Sequence, residues 1–151
     1  MSEDPRLRLL LDRAEIGDLM LAFVAALDAK DWDAYGEVFT EDASFTILGQ
    51  ARHGREAIVA GPGRDLTRYD ALQHFSCNHR IAVDGDEAEA SHYLLAVHVP
   101  DAGDPTSHAD IGGRYDCRCV RTAAGWRFAA VELSVLWSAG TSFQIEHGDD
   151  A

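Results

Sequence analysis

Asp28, His74 and Tyr115 are the side chains whose types and placement in this sequence could together move or hold a proton. A neutral imidazole takes up a proton near neutral pH, and a carboxylate on its second ring nitrogen fixes the tautomer and stabilises the cation. A tyrosine hydroxyl donates a hydrogen bond to a leaving group or a developing oxyanion. Asp28 falls at the edge of the apolar stripe of a predicted helix, near its C-terminus, where a carboxylate opposes the helix dipole. Such a residue is either a tolerated surface carboxylate, beside Asp31 and Asp33, or a functional one. His74 opens a predicted strand in which alternation puts His74, Ser76 and Asn78 on one face and Phe75, Cys77, Ile81 and Val83 on the other. Either the histidine face meets solvent, or it lines a pocket while the apolar face packs outward. Tyr115 shares a strand face with Cys117 and Cys119, and is either a donor in that pocket or a core tyrosine with a satisfied hydroxyl.

The elements that must position these residues follow from periodicity. Ile16, Leu19, Met20, Phe23, Val24 and Leu27 recur at the spacing of one helix face, with Asp12 as the expected N-cap and Glu15 three residues on. Asp31 caps a short second helix carrying Trp32, Tyr35, Val38 and Phe39, and residues 43–48 alternate as a strand. A third helix is expected over 52–60, closed by Gly61-Pro62-Gly63. The period then switches to two. Residues 72–83, 87–99, 109–121 and 125–138 read as four long strands, joined by a tight turn at Asp84-Gly85-Asp86, a polar loop over 101–107 and a second turn at 122–125. The tail over 146–151 is expected to fray. Helices followed by an antiparallel meander define an α+β fold, and a long sheet curving round a long helix leaves a cavity where they do not fill each other. Trp32, Tyr35, Phe39, Phe45, Tyr69, Phe128 and Trp137 are candidate walls for that pocket, with ordinary core packing as the alternative for each.

Bulk properties narrow the partners. The chain has 151 residues, 46% apolar and 26% charged, consistent with one domain able to bury a real core. Its net charge of −13, from 13 basic and 26 acidic residues, speaks against nucleic acid and against an anionic membrane surface. The apolar runs are far short of the roughly 20 residues of a membrane span, and the acidic start shows no secretory signal. A cytoplasmic location and a small-molecule ligand are the expectations. Cys77, Cys117 and Cys119 read as reduced, mostly buried thiols. His79, His92, His98 and His108 show no metal-ligand spacing, and neither a metal nor a cofactor is expected.

Set in this layout, a series of short motifs carries a family resemblance. Asp12-Arg13-Ala14-Glu15-Ile16, Leu27-Asp28-Ala29-Lys30-Asp31-Trp32-Asp33, Phe39-Thr40-Glu41-Asp42-Ala43, His53-Gly54-Arg55-Glu56-Ala57-Ile58, His74-Phe75, Asn78, Asp84-Gly85-Asp86, Gly112-Gly113-Arg114-Tyr115 and Gly125-Trp126-Arg127 resemble, in order, SnoaL-like proteins of the nuclear transport factor 2-like superfamily. The resemblance covers roughly residues 10–138 of a single domain spanning 1–151. It implies a cone in which three N-terminal helices pack into a strongly curved, mainly antiparallel sheet. At the chemical positions the sequence is most similar to scytalone dehydratases and hexachlorocyclohexane dehydrochlorinases, whose aspartate and histidine fall on Asp28 and His74. That implies a β-elimination site in which His74 removes a proton and Asp28 orients it. Two departures stand out. The second histidine of scytalone dehydratases belongs to the third long strand, where Gly112 to Tyr115 are nearest, and their tyrosine beside the aspartate is Leu27 here.

The expected function is therefore a cofactor-independent lyase acting on a small, largely apolar ring. Isomerase and polyketide-cyclase-like chemistry with the same groups are alternatives, as is a non-catalytic binding module. A homodimer or homotrimer is expected, because an extended sheet leaves a broad outer face to cover.

Overall fold

The first helix, α1 (Pro5–Ala29), is longer than its sequence pattern suggests; the computed structural model describes residues 4–140. Pro5 sits where its missing N–H costs nothing, and the Asp4 side chain caps the helix by accepting from the Arg6 N–H at 2.9 Å. Asp12 is therefore not the cap. It lies one face inward and is buried, where Arg121 donates to it at 2.6 and 2.9 Å and the Trp126 indole N–H at 3.2 Å. A carboxylate that reads as a helix start from sequence is instead the anchor of α1 to the far end of the sheet. Lys30 ends the helix in the left-handed region, its N–H returning to Ala26 and Leu27.

The second helix, α2 (Trp32–Glu37), is capped by Asp31 as expected, and leads into β1 (Phe39–Ile47). Residues 50–53 form a short strand, β2 (Gln50–His53), pairing antiparallel with β1, so Arg52 and His53 precede the third helix and do not begin it. That helix, α3 (Arg55–Asp65), runs through Gly61-Pro62-Gly63 and stops only at Asp65. Four strands follow: β3 (Ala71–Asp84), β4 (Glu87–Val99), β5 (Ala109–Thr122) and β6 (Gly125–Gly140). Gly85, at φ 61°, makes the tight β3–β4 turn.

The sheet has the order β2-β1-β6-β5-β4-β3, antiparallel except for the parallel pair β1–β6. It is curved and unclosed around α1, which is the α+β cone expected from sequence. β-Bulges help to curve it, and each shifts the alternation of side chains by one residue. One lies between Cys77 and Arg80, where Asn78 adopts φ 55°. Beyond it Ile81 and Val83 pack against the core, on the same side as His74, contrary to strict alternation. Phe23 of α1 sits at the centre, its ring within 5.2–6.5 Å of Tyr35, Phe39, Phe45, Tyr115 and Phe128. No described helix is long and apolar enough to cross a membrane. Residues 146–151, expected to fray, lie outside the described residues.

Candidate active site

β3 is the edge of the sheet, so alternate N–H groups along it have no strand to pair with. At His74 that vacancy is filled by the end of α1. Both oxygens of Asp28 accept from the His74 backbone N–H, at 3.0 and 3.1 Å, and the ring Nδ1 lies 2.6 Å from Oδ1. Facing a carboxylate, Nδ1 carries the proton, which leaves the lone pair on Nε2. The His74 side chain is 5% exposed and borders an internal cavity, whereas Phe75 on the opposite face is 47% exposed. The face carrying His74 is thus the inner one.

The cavity has a free volume of about 90 Å³. That is less than the ~150 Å³ that admits benzene to an engineered apolar cavity, so a ring substrate requires some widening. Phe23 and Leu27 of α1, Phe45 of β1, and Leu94 and Ile111 of the sheet give it apolar walls. Its polar groups are His74, His98, Tyr35, Tyr115, Arg52 and Asp65.

His98 has no part in the chemistry expected from sequence. It comes from β4, not from the third long strand, and its ring stands edge-on to His74 with centroids 5.6 Å apart. Its Nδ1 donates to the Ala109 carbonyl at 3.1 Å, and burial lowers its pKa to about 4, so it is neutral near pH 7. A signal for it exists in the β3–β4 hairpin. The register pairs Leu72 with His98 and His74 with Ala96, which makes the two histidines diagonal neighbours on one face. Counting back from the turn, the bulge after Cys77 upsets that register by one residue, and one residue decides the face.

Tyr115 lies in the cavity wall, 3% exposed, its ring stacked on His92 at 4.9 Å. Burial pushes its pKa up, with Cys117 adding to the effect, so the hydroxyl stays protonated and keeps its proton available to donate. Tyr35 also lines the cavity, and its pKa is raised by burial and by Tyr115, against the opposing pull of the Arg52 guanidinium. Neither hydroxyl has a hydrogen-bond partner among the described residues.

Of the other predicted walls, Phe45 borders the cavity and the rest do not. Phe128 and Phe39 lie behind Phe23 in the core, and Tyr69 packs behind His98, ring centroids 5.2 Å apart. Trp32 lies half-buried against the Tyr35 ring, lining a surface groove beside α3. Trp137 is on the outside of the sheet, 49% exposed, its indole lying over Gly112. The reason is a bulge at Leu136: Val135 pairs with Gly113 and Trp137 with Gly112, so the expected inward side chain turns outward.

Known proteins share this architecture. The chain is 31% identical over 118 residues to the uncharacterized protein Rv2910c of Mycobacterium tuberculosis, a match covering 77% of this chain and 80% of that one. A candidate scytalone dehydratase from Novosphingobium aromaticivorans superposes with a TM-score of 0.78 at 22% identity, covering 94% of this chain and 96% of its own. A type 2 hexachlorocyclohexane dehydrochlorinase, LinA, gives a TM-score of 0.80 at 19% identity, covering 97% and 99%. At these identities the two structures speak for the fold. Residues 8–132 match the SnoaL-like domain, which is most of the chain and includes Asp28, His74, His98 and Tyr115, and the protein therefore belongs to the SnoaL-like family.

Proposed function

We propose that this protein is a cofactor-independent lyase that carries out β-elimination on a small, mainly apolar ring compound, with Asp28 and His74 as its acid–base dyad. One observation carries the reading: a carboxylate 2.6 Å from Nδ1 of a buried imidazole that borders a mainly apolar cavity. In that arrangement Nε2 of His74 takes a proton from the carbon next to an activating group, a carbonyl in a ring ketone or a chlorine-bearing carbon in a chlorinated ring. The electrons of the broken C–H bond form the new double bond, and the leaving group on the neighbouring carbon departs with its bonding pair. Asp28 stabilises the imidazolium and holds its orientation. For a hydroxide leaving group, the proton on Nε2 is handed on, so that water departs and His74 returns to its neutral form. Tyr115 donates to the oxygen on which negative charge accumulates. Return of the proton to a different carbon would give isomerisation with the same groups.

The dehydratase and dehydrochlorinase names among the structural neighbours favour elimination as the first chemistry to try. The test is a panel of β-hydroxy ring ketones and chlorinated cyclohexanes, followed by turnover of any substrate found with His74→Ala and Asp28→Asn. Each substitution is expected to lower kcat by about 10²–10⁴-fold. Unchanged turnover in both variants would contradict the mechanism, and binding without turnover across the panel would favour a non-catalytic binding module.

A further inference from the structure

The cavity has a second polar pole, away from any role in proton abstraction. Its lining side chains that reach solvent include Ile47, Arg52, Pro62 and Asp65, so its mouth lies between the β1–β2 hairpin and α3. Arg52 occupies that mouth. Its guanidinium rests on Gly61, where a Cβ would collide with Nη1, so only glycine leaves room for it. Its ionic partner is the Asp65 carboxylate at 3.7 Å, too far for a hydrogen bond. Arg121, by contrast, is held by Asp12 at 2.6 and 2.9 Å and by Asp86 at 2.8 Å. A guanidinium has five N–H donors, and those of Arg52 find no hydrogen-bond acceptor among the described residues. Tyr35, whose hydroxyl feels the Arg52 charge, adds another donor without an acceptor among the described residues.

The charge distribution agrees. Residues 52–68 hold four arginines and two acids, in a chain whose acids outnumber its bases 26 to 13. Of these arginines only Arg52 lines the cavity, opposite Asp65, so it is the cation an entering anion meets, in a segment less acidic than the rest of the chain.

We propose that Arg52 is the specificity-determining residue of this cavity and that it selects a small ring compound carrying an anionic oxygen, a carboxylate or an ionised enol or phenol. The inference rests on the reading of the cavity as a substrate site and adds the chemical class of the substrate. The anionic oxygen is received at the mouth by Arg52 with Tyr35, and the ring extends toward His74. Asp65 holds the guanidinium until the ligand arrives and competes with it.

The test compares benzoate with benzamide, nearly equal in shape and different in charge, by calorimetry on the whole protein. Wild type is expected to bind benzoate at least roughly tenfold tighter than benzamide. Arg52→Gln is expected to remove the difference while leaving benzamide binding, and Asp65→Asn to enlarge it. Gly61→Ala, which displaces the guanidinium without removing its charge, is expected to reduce it, so the conclusion does not depend on one variant that folds poorly. Equal affinities in wild type, a preference that survives in Arg52→Gln, or no benzoate binding at millimolar concentration would each overturn the proposal. His74→Ala is expected to leave the preference intact. A preserved preference with no elimination activity would therefore sink the lyase reading alone.

Discussion

At the residue scale, Asp28 does two things at once. It completes the hydrogen bonding of an edge strand and orients the imidazole on that strand. Its candidacy is legible in the sequence, because a carboxylate near a helix C-terminus has little to recommend it for stability. Tyr115 is legible there only as an even choice between donor and core residue. In the fold it is buried at the cavity wall with no acceptor among the described residues, which makes an unpaired donor that a substrate oxygen would satisfy. Tyr115→Phe is accordingly expected to lower kcat by about 10²-fold with a much smaller change in KM. An equal rise in KM at constant kcat, measured on any substrate found, would assign Tyr115 to uniform binding instead.

At the scale of elements, helix existence and strand order follow from periodicity, and the failures cluster where one residue changes parity. The bulges at Asn78 and Leu136 reverse the faces of Ile81, Val83 and Trp137, and no local pattern in the sequence marks either. The first of these shifts also hides His98, which would otherwise follow from the hairpin turn. β2 is short and lacks the alternation of a half-buried strand, so its residues read as part of the following helix. Asp12 misleads in a different way. Its cap-like context is real, but Arg121, distant in sequence, claims it. Since Asp12 is 3% exposed and ties α1 to β5 and β6, Asp12→Ala leaves the Arg121 guanidinium partly uncompensated beside Trp126. We expect a loss of about 3 kcal/mol in denaturant unfolding. A change within about 0.5 kcal/mol would show that the pair contributes no more than an exposed ion pair does.

At the scale of the whole molecule, the interior is built around neutral histidines. His92 is 1% exposed, its Nδ1 2.7 Å from the Ser76 hydroxyl, which also meets His79. Burial, aided by His79, lowers its pKa from 6.5 to about 4, and burial lowers that of His98 to about 4 as well. Between those values the unfolded chain binds protons that the folded chain does not, so acidification favours unfolding. The contribution is fully present above about pH 6.5 and is lost progressively as pH falls through about 4. Tm measured across that range should fall steadily, and a flat profile would mean that both histidines take up protons in place. On the outer surface, Phe75, Leu95 and Trp137 are exposed at 47, 38 and 49%, in one row across β3, β4 and β6 that passes over Gly112 of β5. A second copy covering that face is the expected arrangement, and light scattering that finds only monomer at micromolar concentration would contradict it.

The proposed chemistry turns on one step, in which His74, oriented by Asp28, removes a proton from carbon inside this cavity. That step can be followed without knowing the leaving group, through exchange of the α-protons of a ring ketone such as cyclohexanone in deuterated water, monitored by NMR. Enzyme-dependent exchange is expected, falling by about 10²–10⁴-fold in His74→Ala and substantially in Asp28→Asn. Exchange by wild type no faster than in buffer, or equally fast in both variants, would contradict the dyad.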